Sequence, residues 1–297
     1  MIKNFDELLD KVKVHPPKRV VIPAAHTMST VYCATLAKEE QIGEFLLIGD
    51  KEQIIDYISM SEETMTDAFE IIDEKDPEKC IELAVDAVLE NRADLIMKGD
   101  STTGQLMKGI LNKGKGLQTG DILSDVLVIE TENRLTLMTD GGIVLYPGVR
   151  EKISLINNAV RVAHKLENPC PNVALLCAIE MENPKMPPTI EAAEITKLYK
   201  EGKIIGCVVE GPLALDVAVS EQAAKLKKID SPVAGNADIL IMPYIEAGNI
   251  FGKAMTYYAH LRVAHVIMGA KVPILITSRA DDAWTKLHSV ALGIMCT

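Results

Sequence analysis

The chain has 297 residues, 48% hydrophobic and 25% charged, a globular balance long enough for one substantial core or two. Its formal net charge of −11 argues against a nucleic-acid binder, which needs a basic face for phosphate contacts. An anionic substrate must then meet positive charge concentrated in a cleft, because the overall field does not attract it.

In chain order, residues 1–8 are acidic and amphipathic, unlike a secretory signal. Arg19–Ile22 is a short β-branched run, and after a turn at Pro23–His26 a helical stretch reaches about Glu40. Glu44–Ile48 and Ala68–Ile72 are further apolar runs. Asp76-Pro77-Glu78 starts a helix with a cap, a first-turn proline and a favourable acid. Cys80, Ala84, Val85, Val88 and Leu89 line one face of that helix. Strand Asp94–Met97 runs into Lys98-Gly99-Asp100-Ser101-Thr102-Thr103-Gly104 and another helix. Asp125–Glu130 and Arg134–Thr139 flank three polar residues, which predicts a hairpin. Helices at Val149–Leu166, Ile190–Lys200 and Leu213–Leu226 then alternate with strands at Val173–Ile179, Ile204–Val209 and Ile239–Met242. A helix over Lys253–Met268, a strand from Pro273 and a helix over Ala283–Met295 complete the pattern. Repeated βα units predict an α/β fold with mostly parallel sheets and helices on both faces.

The six cysteines form no C-x-x-C pair and read as reduced core thiols of a cytoplasmic protein. His260 and His265 are five apart, off the spacing that aligns two ligands on a helix face, and no metal site is expected. No apolar run reaches the ~18 residues of a membrane span.

Three strand ends carry residues suited to anion chemistry, since ligands in open α/β sheets bind past the carboxyl ends of strands. The Pro273 strand runs into Ser278, Arg279, Asp281 and Asp282, a hydroxyl, a guanidinium and two carboxylates. The plainer reading is a loop in which Asp281 or Asp282 caps the following helix. Lys98, Ser101, Thr102, Thr103 and Gly104 offer hydroxyls at a helix start, suited to phosphate or to ordinary capping. Glu246, Gly248, Asn249 and Lys253 follow strand Ile239–Met242, where glycine permits close backbone approach and lysine adds charge. Pro212 reads as a first helical position, and Asp216 is left open.

Lys98–Gly104, Asp140-Gly141-Gly142, Glu210–Asp216, Ile245–Lys253 and Gly269–Asp281 occur in an order that resembles the phosphate acetyl/butyryltransferase family, its butyryl branch in particular. The most specific pieces are Gly211–Asp216, Glu246–Asn249 and Thr277–Asp281. The resemblance implies two three-layer α/β domains with an interdomain cleft, similar to isocitrate and isopropylmalate dehydrogenases. One domain would hold residues 1–125 with 275–297, the other 126–274. It implies reversible transfer of a short-chain acyl group between CoA and inorganic phosphate, with acyl-CoA as substrate, no bound cofactor, and a homo-oligomeric assembly. Asp281 is the first candidate base and Asp282 the second. Ser278 would bond the thiol or an oxyanion, and Arg279 would hold the phosphoryl group. Ser101, Thr102 and Thr103 would bind phosphate, and Asn249 and Lys253 would complete the site. Val144, Glu210, Tyr244 and Gly252 depart from the family pattern and bear on acyl-chain fit. The alternatives are a non-catalytic CoA or acyl-phosphate binder, a dehydrogenase of the same architecture, and an enzyme serving an acyl carrier protein.

Overall fold

Alternation of strand and helix begins at the first turn of chain. The elements run α1 (Phe5–Lys13), β1 (Arg19–Pro23), α2 (Met28–Glu39), β2 (Glu44–Gly49), α3 (Lys51–Ser61), β3 (Glu70–Asp73), α4 (Pro77–Leu89), β4 (Leu95–Met97) and α5 (Thr103–Ile110). They continue as β5 (Ser124–Glu130), β6 (Leu135–Thr139), α6 (Val149–Lys165), β7 (Asn172–Leu176), α7 (Pro187–Lys200), β8 (Val208–Leu213), α8 (Leu215–Val219) and α9 (Glu221–Lys227). The chain ends with β9 (Ile239–Ile241), α10 (Ile245–Tyr257), β10 (Val263–Met268), β11 (Ile274–Leu275) and α11 (Ala283–Met295). This computed structural model describes residues 1–61, 68–277 and 281–297.

The chain divides into two units. The first holds Phe5–Asp121 and Ala264–Thr297, with strand order β3-β2-β1-β4-β11-β10. All its pairings are parallel except β10 with β11. Its central strands are apolar and buried after the charged first residues Arg19 and Glu44, as parallel strands covered on both faces are. Helices α1, α2, α3 and α11 pack on one another, while α4 packs with α5 and against β1 and β2. Phe5 stacks flat on His288, with ring centroids 4.4 Å apart, fixing α1 to α11.

The second unit holds Met1–Asn4 and Ile122–Val263, with strand order β5-β6-β9-β7-β8. The β5–β6 hairpin is antiparallel and the other pairs are parallel. Leu127, Met138, Ala174, Leu213, Val217 and Leu240 centre its core.

The sequence reading placed the return to the first unit at 275, whereas it comes at Ala264. The reason is that Val263–Met268 is strand β10, not helix, and pairs with β11 through Ile267 and Ile274. The helix expected over Lys253–Met268 begins earlier and ends earlier, as α10 over Ile245–Tyr257. The expected Leu213–Leu226 helix is two helices divided at Ser220, whose hydroxyl caps α9. Pro212 is not a first helical residue. It lies inside β8 after a cis Gly211–Pro212 bond. β8 closes one end of the strand order, and an edge is where a strand tolerates a residue without an N–H. All six cysteines are free, and Cys33, Cys80, Cys207 and Cys296 are buried, but Cys177 is half-buried and Cys170 exposed.

Candidate active site

In the first unit, the parallel strands β1, β4 and β11 end side by side and their loops form one edge. A cleft of about 170 Å³ opens there, with Thr27, Ser29, Thr30, Lys98, Thr277 and Lys286 around it and Gly99 and Asp100 completing the wall. Gly99 is held against the end of β1: a Cβ there would lie 2.2 Å from the Pro23 carbonyl oxygen. The N–H of Asp100 donates to the Ala24 carbonyl at 2.8 Å. The Lys98 ammonium is buried and donates to the carbonyls of Gly99 (3.1 Å) and Ser101 (2.9 Å), so it is fixed in its own loop.

Ser101 is buried and its hydroxyl has no hydrogen-bond partner among the described residues. Thr102 caps α5 in a reciprocal box. Its hydroxyl accepts the Gln105 N–H at 3.1 Å, and the Gln105 side chain accepts the Thr102 N–H at 3.0 Å. Thr103 and Gly104 lie exposed in the first turn of that helix. Of the two readings of this loop, capping therefore accounts for Thr102, while Lys98 faces the cleft.

Ser278 and Arg279 lie outside the described residues. Asp281 is half-buried. Asp282 is exposed and is the N-cap of α11, accepting the Thr285 N–H at 2.7 Å. That bond assigns Asp282 the capping role weighed above.

In the second unit the ends of the parallel strands β6, β7 and β9 carry Asp140, Cys177 and Tyr244. Asp140 is 2% exposed. Its carboxylate accepts backbone N–H groups from Asp125 (2.9 Å), Gly142 (2.6 Å) and Ile143 (2.8 Å). Burial, together with the neighbouring Asp125 carboxylate, lifts its pKa to about 6 against the pull of those three bonds. Glu246, Gly248 and Asn249 sit in the first turns of α10 and press on this Asp140 turn. The Asn249 amide donates to the Gly141 carbonyl at 3.0 Å, and Glu246 accepts the Tyr146 hydroxyl at 2.9 Å. Asn249 thus holds a turn of the second unit, while Lys253 is exposed further along the helix.

Beside them, the buried Lys152 pairs with Glu191 and lies 5.7 Å from the Tyr244 ring centroid. Burial pushes the Cys177 thiol up to about 11, with Lys152 opposing and Glu191 adding to the shift. A thiol so placed is protonated at neutral pH and is no nucleophile. Gly252 packs on the β5–β6 hairpin: a Cβ there would be 3.0 Å from Leu127 Cδ2, leaving no room for a large side chain without a shift. Asp216 is ion-paired with Lys227 at 2.9 Å. The described residues hold no cluster of metal-ligating side chains.

The sequence alone does not single out Thr27, Ser29, Thr30 and Lys286 in the first unit or Lys152 in the second, and it marks Asp140 only as part of a motif without a role. Lys286 left one usable signal, as the single lysine or arginine of the Ala283–Met295 helix.

Comparison with known proteins supplies the lineage. The chain is 41% identical to the phosphate butyryltransferase of Clostridium acetobutylicum, over 99% of this chain and 98% of that one. Its structure matches a branched-chain phosphotransacylase from Enterococcus faecalis at a TM-score of 0.83 with 31% identity, covering 94% of this chain and 98% of that one. At 14% identity and a TM-score of 0.59, covering 95% of this chain and 100% of that one, the fold also matches 4-hydroxythreonine-4-phosphate dehydrogenase from Klebsiella pneumoniae, in keeping with the dehydrogenase-like architecture expected from sequence. The phosphate acetyl/butaryl transferase model matches residues 4–294. With that span and the butyryltransferase identity together, the chain belongs to the phosphate acetyl/butaryl transferase family.

Proposed function

We propose that this chain is an acyltransferase that moves a short-chain acyl group reversibly between CoA and inorganic phosphate: acyl-CoA and phosphate give acyl phosphate and free CoA. Family membership supports the reaction. The observation that supports the location is the cleft at the ends of β1, β4 and β11, where the buried Lys98 and Lys286 line the wall together with Thr277.

In the acyl-phosphate direction the CoA thiol must lose its proton, and if it behaves like a free cysteine its pKa is ~8.5. Asp281, half-buried shortly before α11, is our candidate for the group that takes it. The thiolate attacks the acyl carbon, the carbonyl oxygen takes negative charge, and phosphate leaves. Ser278 and Arg279 are assigned to the oxyanion and the phosphoryl group from the sequence resemblance. Both substrates arrive activated or nucleophilic, so the reaction needs positioning and charge stabilisation and no resident cofactor. Among the described residues no helix is long and apolar enough to cross a membrane. Six free thiols suit a reducing compartment such as the cytoplasm. A homo-oligomer is the expected assembly, checked by light scattering.

The test is release of free thiol from butyryl-CoA, with acetyl-CoA and isobutyryl-CoA alongside, with and without phosphate. Release that requires phosphate supports the reading, and the ranking gives the acyl preference. Folded protein that releases no thiol from any of the three, while binding CoA, would favour a non-catalytic relative.

A further inference from the structure

We propose that Lys286 and the open N-terminus of α2 hold a phosphoryl oxyanion in the first-unit cleft; that this anion is the phosphate substrate rests on the acyl-transfer reading above.

Three observations converge. Lys286 is only 3% exposed, yet lines the cleft, and its ammonium has no hydrogen bond or ion pair among the described residues. An unpaired ammonium is expensive to bury, so its retention calls for an anion that arrives from outside. The helix α2 is twelve residues long, and its N-cap Thr27 makes no side-chain cap bond. The Thr27 hydroxyl is instead engaged with that of Thr30 at 2.8 Å. The N–H groups of Met28 and Ser29 therefore have no partner among the described residues, and they carry the positive end of the helix dipole.

Lys98 is a second buried cation on the same wall, already anchored by two carbonyls. It adds charge without having to move. On α2 the Cys33 thiol feels the Lys286 charge, but burial pushes it up to about 12, so it stays neutral and leaves that charge uncompensated. Asp100 is the one carboxylate lining the cleft among the described residues. The volume, about 170 Å³, equals that of roughly five or six waters at ~30 Å³ each. That is room for a tetrahedral oxyanion with a few waters. Free phosphate, the phosphoryl end of an acyl phosphate and a phosphate of CoA share this chemistry.

Lys286→Met removes the charge and keeps the volume. Two readouts apply: steady-state KM values for phosphate and acyl-CoA, and the thermal midpoint with and without inorganic phosphate. We expect the phosphate KM to rise roughly tenfold or more, which is the loss of at least one charge-assisted contact. The acyl-CoA KM stays near wild type. Phosphate raises the wild-type midpoint but not that of the variant, whose own midpoint without phosphate equals or exceeds wild type. A rise in the acyl-CoA KM instead, with phosphate unaffected, keeps the anion site and assigns it to a CoA phosphate. Wild-type values of both KM and an undiminished phosphate-induced shift overturn the proposal.

Thr27→Asp is the second variant and decides the matter if Lys286→Met does not fold. Its carboxylate caps α2, so it should raise the midpoint while weakening phosphate binding; normal phosphate binding by this variant overturns the proposal. If wild-type protein releases no thiol, the acyl-transfer reading fails alone, because the phosphate-induced midpoint shift and its loss in the variants still judge the anion site.

Discussion

Gly248 meets Asp140 backbone to backbone: a Cβ on the glycine would lie 2.2 Å from the Asp140 carbonyl oxygen. The contact is mutual, since a Cβ on Gly141 would lie 2.9 Å from the Gly248 carbonyl carbon. Gly248→Ala must therefore push α10 off the Asp140 turn. We expect a loss of ~1–3 kcal/mol or more in urea unfolding, the range for overpacking. Gly104→Ala is the control, because nothing lies within 4 Å of its added Cβ. There, in a helix, alanine should be neutral or stabilising by up to ~1 kcal/mol.

Asp140 gives the second unit a pH dependence of defined sign. Its folded pKa of about 6 lies above the unfolded value of 3.8. The folded state then binds more protons than the unfolded state between those values. The contribution of Asp140 to stability falls as pH rises from about 4 to 6 and is flat above that. The fall is on the order of 2–3 kcal/mol. Asp140→Asn should flatten the difference across this window in urea midpoints taken at pH 4 to 7. It should also cost stability at every pH, because the amide cannot accept the N–H groups on both its sides. A variant whose pH profile parallels wild type would refute this assignment.

Lys152 and Glu191 form a pair with only 4% and 24% of their side chains exposed. Lys152→Met leaves the glutamate without its partner, and we expect a loss of about 3–5 kcal/mol. Adding Glu191→Gln should recover part of that loss, a coupling visible in a double-mutant cycle. Simple addition of the two single effects would contradict the pairing.

Asp281 and Asp282 should separate by what they alter. Asp282→Ala removes the α11 cap and should cost ~0.5–2 kcal/mol of stability, while Asp282→Ser restores it. Asp281→Asn should lower turnover far more than it lowers stability. Arg279→Ala should lower kcat by about 10²–10³, the effect of losing one oxyanion donor, and lysine there should rescue only in part. If Asp282→Ser folds normally but loses turnover, the proton acceptor is Asp282 instead.

Local signals that were self-sufficient survived folding. Asp76 caps α4 through the N–H groups of Glu78 and Lys79 with Pro77 in the first turn, and α11 spans Ala283–Met295 as read. The hairpin formed because its two apolar runs are separated by a short polar stretch, four residues between Glu130 and Leu135. What failed were segments whose state depends on a neighbour. Gly248 and Gly252 look like loop residues, yet they sit in α10 because each lets the helix approach a surface, the Asp140 turn and Leu127. Arg262–Met268 has enough apolar residues for either period, and only pairing with β11 decides for a strand. Lys98 was legible because it follows a strand directly. Lys286 and Thr27 were not, since the cleft joins residues from opposite ends of the chain.

That last arrangement dictates an order of assembly during synthesis. From Ile122 to Val263 the chain is a continuous stretch, and β5 to β9 with their helices can pair before the remainder has left the ribosome. The other unit must wait, because β11 lies between β4 and β10 and α11 packs on α1 and α2. Until Leu275 and Lys286 emerge, β4 presents an unpaired edge of Leu95, Ile96 and Met97, a surface prone to improper association. Loss of even the final twenty-odd residues would thus remove the partner of a central strand along with one wall of the cleft.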